Sequence, residues 1–298
     1  MVKLKLEGKA LKGLFNQRKD VGLVIPAINK YLGTVTFDND RGHGLNSPSS
    51  VSICPRAAYY QRMGYQRDTN HNEPRLQRIF DNGTGVHVRL QDYLTQSGIL
   101  LLDELPVYNE EFQVMGHSDG LLKVGVGKCG ILEIKSINSN GFNNLVTAKP
   151  EHVEQAQVYM FCTEELRLQL QEGGVEYKES LLREMRELMD GFVVSGSKYT
   201  KEEKIAFELR RWENLCDVLL KTTKPIDTMY FLYENKDTQE LKEFIVEWDE
   251  EVLTEIFNRY DFINDAVENE ELPERPQEAT SRGCRNCTYC NYKIECWN

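Results

Sequence analysis

Hydrophobic and polar positions change their spacing several times along the chain, and each change marks an element. From about Gly22 to Leu32 the pattern is amphipathic and helical, and a Gly/Asn/Asp-rich loop follows from Asp38 to Ser50. Ser50 or Ser52 is placed to cap a helix from Pro55 to Met63, since Ser followed by an early Pro is a common helix start. Asp68 to Pro74 is polar and loop-like. Asp81 to Gln96 puts Val86, Leu90, Tyr93 and Leu94 on one side of a helix. From Ile99 the period falls to two, and Ile99–Val107, Phe112–Ser118, Leu121–Val126 and Gly130–Ser136 read as strands with Gly-containing turns. Glu151 to about Gln171 is helical again. Glu176 to Lys221 is charged and helix-rich, with a break at Ser195-Gly196-Ser197. Met229–Glu234 and Glu243–Trp248 form a hairpin around Asn235-Lys236-Asp237-Thr238, and Asp249 to Asn269 is the last long helix. Leu272 to Pro276 is a linker into a cysteine-rich tail. This order predicts an α/β (α+β) fold with a central mixed sheet flanked by helices. Residues 1–50 read as a peripheral arm and 51–298 as one domain, with no internal repeat.

Composition narrows the setting. The chain has 298 residues, 40% of them hydrophobic and 28% charged, enough to build a substantial core. No apolar run is long enough to span a bilayer, and the start, Met1-Val2-Lys3-Leu4, shows no signal-peptide core, so an intracellular, cytoplasmic setting is expected. The eight cysteines are then expected to be reduced, which favours metal binding over a disulfide framework. A net charge of −11 argues against coating nucleic acid by bulk electrostatics, though not against a local grip. The acidic tracts 247–251 and 268–271 read as solvated surface. Basic residues gather as Arg56, Arg62 and Arg67, as Arg75 and Arg78, and as Arg282, Arg285 and Lys293; two of these groups flank cysteines.

The candidate chemistry lies in the strand region. Asp119 sits in Gly116-His117-Ser118-Asp119-Gly120, and fourteen residues later comes Glu133-Ile134-Lys135. Side chains alternate along a strand, so Glu133 and Lys135 share a face while Ile131, Leu132 and Ile134 supply core contacts. A bare Glu-x-Lys fits a surface ion pair on an edge strand. A second carboxylate at a glycine-flanked strand end makes a hard-oxygen site suited to Mg²⁺ or Mn²⁺, with a lysine to orient water or stabilise phosphorane charge. His87 lies beside the apolar face of its helix, a place common for structural histidines, but behind a polar, glycine-rich entry, Asp81 to Gly85. Gln155 and Tyr159 are four residues apart on one helix face, suited to a phosphate or to bracketing the lysine, or simply to an amphipathic helix.

Cys287-x2-Cys290-x5-Cys296 needs a fourth ligand. Cys284 is the local choice and Cys54 the distant one. Thiolates alone suit tetrahedral Zn²⁺ or an iron–sulfur cluster. Cys129, Cys162 and Cys216 stand singly among apolar residues and read as buried small hydrophobes.

Taken in order, Gly83-x3-His87, Gly116-His117-Ser118-Asp119-Gly120, Glu133-Ile134-Lys135 and Gln155-x3-Tyr159 resemble the motifs of the RecB-like branch of the PD-(D/E)XK nucleases. Cys54-Pro55-Arg56-x2-Tyr59 with Cys287-x2-Cys290-x-Tyr292-x3-Cys296 resembles its iron–sulfur subgroup, which includes CRISPR-associated adaptation nucleases, the AddB nuclease domain and stand-alone phage exonucleases. The resemblance covers roughly residues 50–165 and 228–298. It implies a restriction-endonuclease-like core in which His87, Asp119, Glu133 and the carbonyl of Ile134 bind Mg²⁺ or Mn²⁺. Lys135 would assist the attacking water, and Gln155 and Tyr159 would complete the site. Cys54, Cys287, Cys290 and Cys296 would hold a structural [4Fe–4S] cluster joining the tail at 273–298 to the front of the domain. The residue before Asp119 is Ser118 rather than Pro, Cys284 is an extra cysteine, and 163–224 is a helical insertion beyond a minimal member.

The resulting expectation is a metal-dependent DNA exonuclease acting on single-stranded ends in recombination, repair or phage DNA processing. A separate helicase, strand-annealing protein or integrase is a compatible partner, and a phage protein in the host cytoplasm a compatible setting. The alternatives are a catalytically silent, zinc-stapled DNA-binding scaffold and a subunit active only in a complex. Gly-x4-Gly-Lys-Ser/Thr does not occur, so any motor would be expected on a separate chain.

Overall fold

The structure is a computed structural model, and it describes residues 22–34, 44–68, 74–193 and 199–298. Much of the predicted arm, and the breaks at 69–73 and 194–198, fall outside the described residues. Among the described residues, two compact units form: a small one of 22–34 with 74–82, and a large one containing the rest. In the small unit, helix α1 (Val24–Leu32) is tied to Arg78 by a 2.9 Å bond from Arg78 to Asn29 Oδ1.

The large unit is built on a five-stranded sheet in the order β1 (Leu100–Asn109), β2 (Val114–Gly125), β3 (Lys128–Ile137), β4 (Thr228–Asn235), β5 (Leu241–Glu247). The β3–β4 pair is parallel and the other three pairs are antiparallel, so the sheet is mixed as expected. Alternation in β3 sorts the side chains by face. Cys129 and Ile131 enter the main core, while Leu132 and Ile134 pack with Val86 and Leu90 of helix α3 (Pro74–Gln96) on the other face. The main core is closed by α5 (Pro150–Phe192), α6 (Lys201–Leu219) and α7 (Glu250–Glu268). Helix α2 (Pro55–Arg62) lies against α7, and the short helix α4 (Ser139–Asn143) follows β3. Two short helices, α8 (Arg285–Thr288) and α9 (Lys293–Trp297), make the tail.

Several expectations change. The segments 112–118 and 121–126 are one strand, because Gly120 is a point of close approach and not a turn. A Cβ there would meet Leu100 Cδ1 at 2.6 Å and the Leu102 carbonyl at 2.7 Å. Helix α3 starts at Pro74, seven residues before Asp81, and runs through Gly83 and Gly85; packing of Val86 and Leu90 outweighs the weak local preference. Tyr93 is not on the buried side: it is 57% exposed, with the Arg89 guanidinium 5.9 Å from its ring centre. Neither Ser50 nor Ser52 caps α2, whose N-cap is Cys54 with Pro55 at the first position. The helix from 150 extends to Phe192 past a break at Gly174 (φ 57°), and the segment 163–224 contributes Leu170, Met185, Leu215 and Leu219 to the main core. Cys129, Cys162 and Cys216 are buried as expected, and both acidic tracts lie largely at the surface.

Candidate active site

The site forms where β2 and β3 part company. Their ladder runs from Gly125–Lys128 to Gly120–Leu132 and stops, and β3 continues alongside β4 alone. On the vacated side of β2, Val114 is bridged to Asn46, whose carbonyl accepts from the Met115 N–H, and beyond it residues 117 and 119 have no strand on that side. Buried backbone groups need partners, and side chains supply them. The Tyr159 hydroxyl donates to the His117 carbonyl at 2.5 Å, and Gln91 Nε2 donates to the Asp119 carbonyl at 2.8 Å. The Ile134 N–H donates to Asp119 Oδ2 at 2.5 Å. Asp119 therefore takes the acceptor role that a continued ladder would have given to backbone.

The predicted residues converge around this point. His87 Nδ1 lies 2.9 Å from Asp119 Oδ1. Lys135 Nζ donates to Glu133 Oε1 at 2.7 Å and to Gln155 Oε1 at 3.1 Å. Gln155 Nε2 donates to Glu133 Oε1 at 3.2 Å and to the Tyr159 hydroxyl at 3.3 Å. Ile134 is fully buried against α3, so only its backbone takes part. Glu133 is 6% exposed, and its Oε2 is buried with no hydrogen-bond partner.

Electrostatics follow from that placement. Burial first, and the Asp119 charge second, push the Glu133 carboxyl up to about 7, against the pull of Lys135. Burial works to lower the His87 pKa, but the bond to Asp119 and the Asp119 and Glu133 charges outweigh it, and the net direction is up. Burial raises Tyr159 well above the ordinary phenol range. The pair of carboxylates is thus short of positive charge, and an orphaned carboxylate oxygen in such a place is what a hard cation would satisfy. Among the described residues, no three His, Cys, Asp or Glu side chains stand close enough to grip a metal ion in their present positions.

Further neighbours were not singled out from sequence. Gln91 is four residues after His87 on the same helix face, a spacing that was available to read. Arg89 donates to both oxygens of the buried Glu234 at 2.7 Å. The His117 ring meets Glu208 of α6 at 2.8 Å, and Arg211 also pairs with Glu208. His152 Nδ1 lies 2.5 Å from the Tyr233 hydroxyl; burial, aided by Lys135 and Lys149, lowers its pKa to about 3.

The cysteines meet at a second place. Cys54, Cys287, Cys290 and Cys296 line one pocket, walled by Tyr60 and Tyr292. Cys284 is not in that lining; it pairs with Cys287. Burial raises the Cys290 thiol, and Cys54 and Cys296 push it the same way. The Tyr292 N–H donates to Cys290 Sγ at 3.5 Å, and no cysteine is in a disulfide. Four cysteines line this one mostly apolar pocket, the residue type that a thiolate-bound metal or cluster needs, but as they stand no three of the thiols are close enough together to hold an ion.

No protein-family model matches the chain, and no curated protein matches it in sequence. Among solved structures it is similar to an alkaline exonuclease (LHK-Exo) from Laribacter hongkongensis, at 15% identity over 76% of this chain and 90% of that one, with a TM-score of 0.43. It is similar to the protein SSO0001 at 13% identity over 92% and 96% of the two chains, again with a TM-score of 0.43. Likeness at that level does not decide function.

Proposed function

We propose that this chain is a metal-dependent DNA exonuclease that hydrolyses phosphodiester bonds from single-stranded ends. The observation that carries the reading is the unpartnered, buried Glu133 Oε2 beside Asp119, with Lys135 bonded to the same carboxylate. Asp119 and Glu133 would hold Mg²⁺ or Mn²⁺, aided by His87 and the Ile134 carbonyl. A bound cation supplies charge neutralisation at the phosphate and activation of water. Lys135, tethered by Glu133 and Gln155, presents its ammonium to the attacking water or to charge building on the phosphate. Tyr159 locks Gln155 and the His117 carbonyl, and so the strand that carries Asp119. Cys54, Cys287, Cys290 and Cys296 would carry a structural [4Fe–4S] cluster, with Zn²⁺ the other thiolate-bound candidate. Such a closure ties residue 54 to residue 296 and restricts the unfolded chain.

The test is cleavage with Mn²⁺ of end-labelled linear and circular single-stranded DNA, comparing anaerobically purified wild type with Lys135→Ala. Loss of the linear DNA alone, abolished in the variant, is the expected result. Cleavage retained by Lys135→Ala removes the site assignment, cutting of the circle makes the enzyme an endonuclease, and no cleavage by wild type rejects catalysis by the isolated chain. A colourless, stable and active Cys290→Ala protein with an equally colourless wild type would remove the iron–sulfur cluster.

A further inference from the structure

A pocket that this chemistry does not use lies between the 45–62 segment and α7. It is small and partly open to solvent, and it is lined by Asn46, Ser50, Arg62, Arg259 and Tyr260, with apolar wall from Val51 and Ile263. Arg62 is 7% exposed, yet no carboxylate among the described residues pairs with it. Its terminal nitrogens donate only to amide oxygens, Nη1 to Asn264 Oδ1 and Nη2 to Gln113 Oε1, each at 2.5 Å. Asn264 Oδ1 also accepts from Asn46 Nδ2 at 3.0 Å, so that oxygen already serves two donors. Arg62 Nε is left buried with no acceptor. The Tyr260 hydroxyl, on a side chain 3% exposed, is left in the same condition.

Those are two donors without acceptors on one pocket, and one of them carries an uncompensated charge. A buried cation with no counter-ion is strongly disfavoured, and burial accordingly pulls the Arg62 pKa down with nothing negative to hold it up. Arg259 also lines the wall, but its charge is already paired with Glu154 at 3.0 Å, so Arg62 is the uncompensated cation there. Apolar surroundings strengthen any interaction with an anion there. An oxyanion presents several acceptor oxygens at fixed angles, so one group can serve both donors.

We propose that this pocket binds a small oxyanion of the phosphate class, held by Arg62 Nε and the Tyr260 hydroxyl. The ion would tie the segment that begins the cysteine pocket to the last long helix. It would stabilise the folded chain by mass action. The inference does not depend on the nuclease reading.

The experiment is thermal unfolding of the full chain in inorganic phosphate against sodium chloride, at matched ionic strength and pH, for wild type, Tyr260→Phe and Arg62→Lys. Tyr260→Phe removes a hydroxyl that has no partner, so its fold should survive in chloride. Phosphate is expected to raise the wild-type midpoint above chloride, with the apparent affinity falling about tenfold or more in Tyr260→Phe and further in Arg62→Lys. Equal wild-type midpoints in the two salts overturn the proposal. So does a Tyr260→Phe response equal to wild type, which would place the phosphate elsewhere. Should Arg62→Lys fail to fold, Tyr260→Phe decides alone.

Discussion

Glu133→Gln should make the protein more stable at alkaline pH and leave it little changed at acid pH. Glu133 is buried beside Asp119, and its carboxyl rises from the ordinary 4.5 to about 7. For a group whose folded pKa is raised, stability is fully present below the unfolded value and is lost as pH climbs through the folded one. The window therefore runs from about pH 4.5 to somewhat above 7. Within it the unfolded chain has already released the proton that the folded chain keeps. A rise from 4.5 to about 7 corresponds to roughly 3 kcal/mol. Glutamine mimics the protonated acid, so the variant escapes that loss. At roughly 2 cal/mol/K of unfolding entropy per residue, a chain of 298 residues converts it to a midpoint difference of about 5 °C. Thermal melts of both proteins at pH 4.5, 6, 7 and 8.5, without divalent cations, give the difference profile directly. Curves that run parallel from pH 4.5 to 8.5 would refute the claim that burial and Asp119 hold Glu133 protonated.

Other perturbations test neighbouring parts of the same geometry. Tyr159→Phe strips the donor from the buried His117 carbonyl and should lower stability by about 1–3 kcal/mol in urea; an unchanged midpoint would mean that the 2.5 Å bond contributes nothing. Gly120→Ala should lose about 1–3 kcal/mol because its Cβ meets Leu100 and the Leu102 carbonyl, whereas Gly85→Ala, with open space around its Cβ in α3, should gain about 1 kcal/mol. His152 should stay neutral in the folded state at pH 5, and stability should drop as pH falls below about 6.5, since a lowered histidine pKa makes the unfolded state take the proton first. Imidazole NMR signals that titrate near pH 6.5 at that residue would contradict its burial against Tyr233.

What could be read in the sequence divides along physical lines. Strand existence was legible because period-two alternation records a two-faced sheet, and β3 shows it with Ile131 on one face and Leu132 and Ile134 on the other. The residue types of the site were legible for the same reason: two acids and a lysine amid apolar neighbours need a purpose. Boundaries fared worse where glycine was read as punctuation. Gly120 looked like a turn residue, yet it is a contact point against Leu100, where a Cβ would lie at 2.6 Å. The Asn82-Gly83-Thr84-Gly85 run looked like a helix entry, and tertiary packing of Val86 and Leu90 carried the helix through it. The pairing of Arg62 with Asn264 and Gln113 spans 202 and 51 residues, and no local pattern encodes it.

The least legible feature is also the one that organises the site. An antiparallel ladder that simply stopped at Leu132 would strand the carbonyls of His117 and Asp119 and the N–H of Ile134. Their partners come from three separate elements: Tyr159 on α5, Gln91 on α3, and Asp119 on β2 itself. Each bond is required by backbone accounting before any chemistry is considered. Together they fix the Asp119 carboxylate through its strand, its carbonyl and one of its own oxygens. Glu133, on the strand that continues, is held instead by Lys135 and Gln155. The two acids are therefore held by different immediate partners, and Tyr159, bonded to both the His117 carbonyl and Gln155, joins the two sets. Above about pH 7, where Glu133 is ionised, a pair of acids held in this way, with one buried oxygen unpartnered, raises the energy of the cation-free state. On the proposed reading that repulsion would favour a divalent ion, and loosening either set of partners, by Gln91→Ala on one side or Gln155→Ala on the other, should weaken Mn²⁺ binding measured by calorimetry even though neither glutamine is a candidate ligand. Unaltered affinity in both variants would mean that the carboxylates do not depend on the splayed strands for their placement.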